Sequence, residues 1–434
     1  PIHFIITAYD MKILIVNTSE RTGGAAVAAG RLVEALKNHG VKAKMLVRDK
    51  QTQNLCVTAL NHHLRNRWRF VWERFVIWAA NRFSRHNLFA IDIANTGTDI
   101  TSLPEFQEAD IIHLHWINQG MLSLKSIRKI LASGKPVVWT MHDFWPCTGI
   151  CHHPYDCEAF KTACQCCPKL THPSCNDLSH RVFLKKQRLL QQSSPHFVAV
   201  SHWLAEQAAQ SMLLKQKTIS VIHNVISAHV FSIYDRTESR SQLQLPARKF
   251  IIAFGAARID NPIKGFNQLV EALHILIRRG SFNADELHLV LFGTIKHTEE
   301  TCAQIPVSYT LLGLIDNNDT LSRIYSAADV TVSASAYETF GQTLAEAQVC
   351  GCLPVSFGNS GQQDIITHGR NGYLASYPST DSLADGIEWA LHKPEDALNP
   401  KQLREDALKR FSDAVIARQY TDLYTNLLRT KHSS

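Results

Sequence analysis

Short runs of apolar, largely β-branched residues recur along this chain, separated by stretches whose apolar positions repeat at helical spacing. They predict strands at Lys12–Asn17, Lys44–Val47, Ile111–His115, Val137–Thr140 and Phe197–Val200. A second set follows at Ser220–Ile222, Phe250–Phe254, His288–Phe292, Val330–Ser333 and Leu353–Phe357. The runs are continuous rather than alternating, and helices such as Ala25–His39 lie between them. That is the pattern of parallel sheets covered on both faces. Two such sets predict an α/β chain of two doubly wound, Rossmann-like domains, residues 1–223 and 224–405. The join is expected between Asn224 and Lys249, because Tyr234 to Arg248 is polar and weakly patterned. From Leu403 to Leu428 the pattern is helical again, and residues 406–434 are expected to form a terminal helix that returns to the first domain.

Composition agrees with this division. A chain of 434 residues is too long for one ordinary core. With 45% hydrophobic and 19% charged residues it reads as globular. A formal charge of +7 suits anionic ligands such as nucleotides or phospholipid surfaces without requiring nucleic acid. No run approaches the roughly 18 consecutive apolar residues of a membrane span. Ile2 to Tyr9 is apolar, but no basic segment precedes it and no small-residue cleavage site follows. The reading is therefore cytoplasmic, with the first buried strand starting at Met11 and residues 1–10 an extension or an artefact.

Open parallel sheets bind ligands beyond the carboxyl ends of their strands, so the residues that follow the strands carry the chemistry. After Val330–Ser333 the chain reads Ser335 to Ala347, SAYETFGQTLAEA. Gly341 permits a tight turn, and the residues after it favour a helix from about Gln342. The amides of such a helix start are an anion-binding arrangement. Glu338 and Glu346 flank it, and carboxylates accept well from sugar hydroxyls. Arg258 and Lys264 follow the Phe250–Phe254 strand, where two cations would stabilise a diphosphate leaving group. Taken singly, each is an ordinary helix-end acid or loop cation; their joint placement after strands of one domain favours a site.

Glu338-x7-Glu346, followed by AQVCGCLPV at Ala347–Val355 and GRNGYL at Gly369–Leu374, resembles retaining glycosyltransferases of the GT-B fold, glycosyltransferase family four. The resemblance runs from about Met11 to Tyr424. It implies two Rossmann-like domains facing across a cleft, a nucleotide-diphosphate sugar donor, and a front-side mechanism that needs no catalytic metal. It implies that Arg258 and Lys264 contact the diphosphate, that Glu346 binds the ribose, and that Glu338 lies by the donor sugar. Backbone amides at Phe340, Gly341, Gln342 and Thr343 would hold phosphate and sugar. The chain departs from the family pattern in two places. Arg258 and Lys264 are one residue further apart than usual, and Asn224-Val225-Ile226-Ser227 stands where Asn-Gly-Ile-Asp is usual.

The first domain supplies fewer signals. Thr22-Gly23-Gly24-Ala25-Ala26 follows the first strand and lacks the spacing of a dinucleotide fingerprint. The resemblance makes Gly24 a donor-phosphate and acceptor loop residue, and makes His142, in Met141-His142-Asp143, the residue contacting the transferred sugar. His113 and His115 are read as packing or cleft-wall residues.

Seven of the eleven cysteines lie between Cys147 and Cys175. Cys151, Cys157, Cys164 and Cys167 are expected to bind a structural zinc ion, the alternative being free or disulfide-forming thiols in a metal-free loop. A branch of the family similar to enzymes of colanic acid and capsule synthesis carries a comparable insert. It points to a saccharide or lipid-linked oligosaccharide acceptor in capsule, exopolysaccharide or O-antigen synthesis. Leu64 to Arg85 holds six arginines and one glutamate among interleaved aromatics, with Trp68, Val71, Trp72, Phe75 and Trp78 on one helical face. This is either a helix lying on an anionic membrane surface, at the inner face of the cytoplasmic membrane, or a domain helix that buries its aromatics. The rival functions are a nucleotide-sugar hydrolase or epimerase on the same fold and a zinc-dependent nucleic-acid-binding protein; the second is disfavoured because the positive charge is dispersed.

Overall fold

The computed structural model describes residues 11–61, 63–392 and 398–433; the reading of residues 1–10 falls outside them. The chain forms two compact units, one reaching to His223 and regaining the chain from Ile416, the other spanning Asn224–Val415.

The first unit is built on seven parallel strands: β1 Lys12–Ser19, β2 Lys42–Asp49, β3 Val57–Ala59, β4 Ile111–Leu114, β5 Val137–Met141, β6 His196–Ala199 and β7 Ile219–Val221. Their order is β3-β2-β1-β4-β5-β6-β7. The second has six: β8 Phe250–Arg258, β9 Leu287–Thr294, β10 Ser308–Leu311, β11 Val330–Ser333, β12 Leu353–Phe357 and β13 Tyr373–Ala375, ordered β10-β9-β8-β11-β12-β13. In both sheets the chain winds outward from one strand and then resumes on its other side. The switch points lie between β1 and β4 and between β8 and β11, and there a doubly wound sheet opens a crevice at its carboxyl edge.

The central strands stand where continuous apolar runs placed them, because strands covered on both faces bury every side chain; β4, β5, β11 and β12 are buried throughout. The outer strands β3, β10 and β13 carry no such run. They have one neighbour each and stay partly solvated, as the pattern of Ser308–Leu311 shows. The run at Ser220–Ile222, which precedes the expected join although it opens the second set of runs, is β7 and pairs with β6 through Phe197 and Ile219 in the first sheet.

The terminal segment, read as helices over Leu403–Leu428, is two helices, Pro400–Phe411 and Asp413–Ser433, so the terminal helix expected over residues 406–434 begins at Asp413. Ser412 leaves helical geometry between them, at φ −64° and ψ 160°. From Ile416 the second helix belongs to the first unit, where Tyr424 Oη and Tyr420 Oη meet His113 Nδ1 and Thr140 Oγ1 at 2.7 and 2.9 Å. The aromatic segment is helical over His63–Ala80 and does not reach Arg85, because Arg82 and Phe83 turn into the left-handed region.

Candidate active site

In the second unit the loops after β8 and β11, the two strands at the switch point, are joined directly. Ala336 N–H donates to the Ile263 carbonyl at 2.8 Å. Gly265, at φ +72°, passes so close that a Cβ there would stand 1.7 Å from the Ala334 carbonyl oxygen. This contact holds the Lys264 loop against the Glu338 loop.

Lys264 Nζ donates to Glu338 Oε1 at 2.6 Å, and Ser335 Oγ donates to the same oxygen at 2.8 Å. The Glu338 backbone is held as well: its N–H donates to Ser360 Oγ at 3.0 Å, and its carbonyl accepts from Gly361 N–H at 3.0 Å. Three strand ends thus fix one carboxylate, with a lysine already on it. Arg258 lies further out, its side chain 54% exposed and 3.2 Å from Asp260.

Gly341 takes φ +103° and heads the helix Gln342–Val349 without a side-chain cap. Elsewhere Ser123, Asp177, Ser201, Asp235, Asn317 and Asn399 close helix starts with their side chains. A glycine head leaves the positive end of the helix open to an anion. Phe340 is buried against Phe411, ring centroids 5.4 Å apart, and anchors the turn from beneath. Gln362 is buried beside Gly341, and its Nε2 donor has no hydrogen-bond partner among the described residues. A buried orphan donor costs free energy unless a ligand satisfies it.

Glu346 lies a little over one turn into the helix and is only 5% exposed. Tyr325, from the helix Asn318–Ala327, donates its hydroxyl to Glu346 Oε2 at 3.2 Å. Residues 338–346 therefore hold two unlike carboxylates, one ion-paired at the strand end and one buried in the helix. Sequence reasoning missed Tyr325, Ser360 and Gln362. Ser360 and Gln362 follow β12 and were findable by the strand-end rule; Tyr325 carried no signal.

In the first unit Gly23, at φ +92°, heads the helix Gly24–Asn38 directly beyond β1, again without a side-chain cap. The β1 and β4 ends are tied by Thr18 N–H to the Trp116 carbonyl at 2.8 Å and by Trp116 N–H to Asn17 Oδ1 at 2.9 Å. His142 follows β5 and is partly buried, its Nε2 2.9 Å from His115 Nδ1. Burial holds the His142 imidazole down to about 4, against the opposing pull of Asp143. At neutral pH it is an uncharged hydrogen-bonding group. His113 is buried between Thr140 and Tyr424, a packing position.

Asp143 belongs to a buried network that sequence reasoning did not see. His152 Nδ1 and Nε2 meet Asp143 Oδ2 and Asp92 Oδ2 at 2.7 and 2.6 Å. Burial opposes a charged imidazole, but the two carboxylates outweigh it and push His152 up to about 10. Trp116 Nε1 donates to Asp143 at 2.8 Å, and Arg74 pairs with Asp92. The network joins the β5 end to the cysteine insert and to the helix His63–Ala80.

Within the insert Cys151, Cys164 and Cys167 are buried and Cys157 is partly so. Burial raises the Cys151 thiol to about 12, and its neighbours Cys167, Cys164 and Cys157 add to the effect. The four thiols thus share one neighbourhood, although no three of their sulfurs gather within 4.8 Å of one another among the described residues. Lys186 pins the insert from the helix Leu178–Gln191, donating to the carbonyls of Trp145 and Thr148 at 2.6 and 3.0 Å.

Two switch-point sheets of this order, one with a glycine-headed helix start flanked by a lysine and two carboxylates, define an α/β protein of two doubly wound units with a candidate anion site. Comparison with known proteins says which kind. The model for glycosyltransferase family 4 matches residues 22–229, and that for glycosyl transferases group 1 matches residues 235–410. The two together take in most of the chain, which belongs to this glycosyltransferase family. An uncharacterized glycosyltransferase of Methanocaldococcus jannaschii is 25% identical over 77% of this chain and 89% of its own length. The WcaC protein of Escherichia coli, provisionally named a colanic acid biosynthesis glycosyl transferase, is 34% identical over 19% of this chain and 22% of its own. Among solved structures, Anabaena HepE in complex with UDP and glucose superposes with a TM-score of 0.64 at 17% identity, covering 96% of this chain and 100% of that one.

Proposed function

We propose that this glycosyltransferase moves a sugar, with retention of anomeric configuration, from a nucleotide-diphosphate sugar to a lipid-linked saccharide in surface-polysaccharide synthesis. The observation that carries the donor reading is the gathering of Lys264, Glu338 and Glu346 around the glycine-headed helix at the β8/β11 switch point. Glu346 would take the ribose, Glu338 the donor sugar, and the amides of Phe340–Thr343 the phosphates. Lys264 and Arg258 would neutralise the leaving diphosphate as charge develops on it, with Lys264 exchanging Glu338 for phosphate oxygens. HepE, a structural neighbour, binds UDP and glucose, which supports a nucleotide-sugar donor here.

Gly24 and the neutral His142 are the first unit's proposed contacts, to phosphate or acceptor and to the transferred sugar. Transfer then needs no catalytic metal, because the site's own cations face the leaving group. The acceptor reading rests on the WcaC similarity and on the basic, aromatic helix His63–Ala80, which we place at a membrane surface. The thiols of Cys151, Cys157, Cys164 and Cys167 would hold a structural zinc, which would have to draw their sulfurs together.

The test is a thermal-shift screen of UDP-, GDP-, ADP- and CMP-sugars. The preferred donor is then incubated with lipid-linked acceptors in EDTA, and the product anomer is read by NMR. An inverted anomer, a rate abolished by EDTA, or no stabilisation by any nucleotide sugar would each overturn the corresponding part. Free sugar released at the same rate without acceptor would favour a hydrolase.

A further inference from the structure

The helix His63–Ala80 carries its polarity reversed. Asn66, Glu73, Arg74 and Ile77 face inward, while Leu64, Trp68, Val71, Trp72 and Phe75 are exposed, Trp68 by 60%. With the half-buried Trp78, the exposed rings form one row: Trp68 to Trp72 at 5.2 Å, Trp72 to Phe75 at 5.6 Å, Phe75 to Trp78 at 5.9 Å and Trp78 to Phe83 at 4.7 Å.

The inward polar groups fix this orientation. Arg74 donates to the Leu88 and Ile91 carbonyls at 2.6 and 3.0 Å and pairs with Asp92. Glu73 Oε1 accepts from the backbone N–H groups of Ile93 and Ala94 at 3.0 and 2.7 Å. Rotating the rings inward would break these bonds and leave Asp92 buried without its arginine. The aromatic face is therefore held outward, and an exposed apolar face of this extent marks an interaction surface.

Its charge says with what. Between Asn61 and Ile91 the one acidic residue is Glu73, which is buried, so the exposed charges are Arg65, Arg67, Arg82 and Arg85. Arg65 and Arg69, one turn apart, flank the row at Leu64 and Trp68 and line a cavity of about 440 Å³ with Thr98, Ser123, Lys125 and Ser126. Asp99, also in the cavity wall, is taken by Lys129. Among the described residues no carboxylate pairs with Arg65, Arg69 or Lys125. Burial and the neighbouring Arg65 charge both lower the hold of Arg69 on its proton, the mark of a cation cluster without a counter-ion.

We propose that this face docks on an anionic phospholipid surface, with the aromatic row at the headgroup–acyl boundary and a lipid phosphate in the Arg65–Arg69–Lys125 cavity. It rests on the membrane-surface reading above and supplies its contacts. Aromatic rings with flanking arginines suit that interface, where ring bodies meet acyl chains and guanidinium groups meet phosphate.

The full chain would be co-sedimented with neutral phosphatidylcholine vesicles, with vesicles containing phosphatidylglycerol, and with the latter plus inorganic phosphate. Binding to the anionic vesicles should exceed neutral binding at least tenfold. The triple variant R65Q/R69Q/K125Q should lose at least about tenfold of the anionic binding, since each basic group near such a surface contributes about fivefold. The variant W68S/W72S/F75S should lose binding to both vesicle types while keeping the wild-type melting temperature and nucleotide-sugar stabilisation. Equal binding to neutral and anionic vesicles, or an R65Q/R69Q/K125Q variant that binds like wild type, would overturn the proposal. So would inorganic phosphate saturating the cavity with no preference for anionic vesicles. Donor stabilisation is read separately, so failure here is distinguishable from failure of the transferase reading.

Discussion

Replacing Glu346 by glutamine tests the buried carboxylate with least disturbance. The side chain is 5% exposed, and its Oε2 accepts from Tyr325. Glutamine keeps the shape and one acceptor oxygen, so Tyr325 retains a partner and the unliganded fold should change by less than about 1 kcal/mol. In the proposed site the second acceptor would become an N–H donor toward the ribose hydroxyls. A hydrogen bond to a charged group contributes about 1.5–3 kcal/mol, so a net loss of about 2–3 kcal/mol is expected. At about 1.4 kcal/mol per tenfold, the nucleotide dissociation constant should rise about 30- to 150-fold. Titration calorimetry with the preferred nucleoside diphosphate measures this, with inorganic pyrophosphate as control because it has no ribose. A dissociation constant within threefold of wild type, or an equal loss of pyrophosphate binding, would refute the ribose assignment.

Three further outcomes follow from the geometry, and a fourth tests the zinc proposal. Lys264→Met should lower kcat at least tenfold with a smaller effect on KM if, as proposed, the cation acts on the leaving diphosphate; unchanged steady-state kinetics would contradict it. Gly265→Ala combines a left-handed backbone with a Cβ driven onto the Ala334 carbonyl, so the second unit should lose at least about 2 kcal/mol in denaturant titration. The His152 contribution is complete below the unfolded-state value near 6.5 and is lost as pH rises toward about 10, because the folded state holds the proton more tightly. The stability gap between wild type and His152→Gln should therefore shrink between pH 6.5 and 10; a gap that widens would contradict the network. Elemental analysis should find one zinc per chain, lost in Cys164→Ser; metal-free protein with a melting curve indifferent to chelator would remove the zinc proposal.

Much of the candidate site was legible because its chemistry is local. Gly341 and the helix-forming residues after it set the turn whatever surrounds them, and the helix starts at Gln342 as they require. The position of Lys264 beyond β8 likewise follows from strand order. What was not legible lies across long chain separations. Lys264 meets Glu338 over 74 residues, Tyr325 reaches Glu346 from another helix, and His152 joins Asp92 over 60. No window of sequence contains such pairs, and none of these residue types signals its partner.

The aromatic helix divides the two kinds of information most sharply. Periodicity alone determined that Trp68, Trp72 and Phe75 share a face, as it determined two parallel sheets from their continuous buried runs. It could not say whether that face looks inward or outward, because a helical stripe is the same stripe in either setting. Only the tertiary structure decided, through Glu73, Arg74 and Asp92: burying an ion network on one side of the helix leaves the rings on the other. Local pattern sets which residues lie together on an element. The cost of leaving a buried charge without its partner sets which way that element turns.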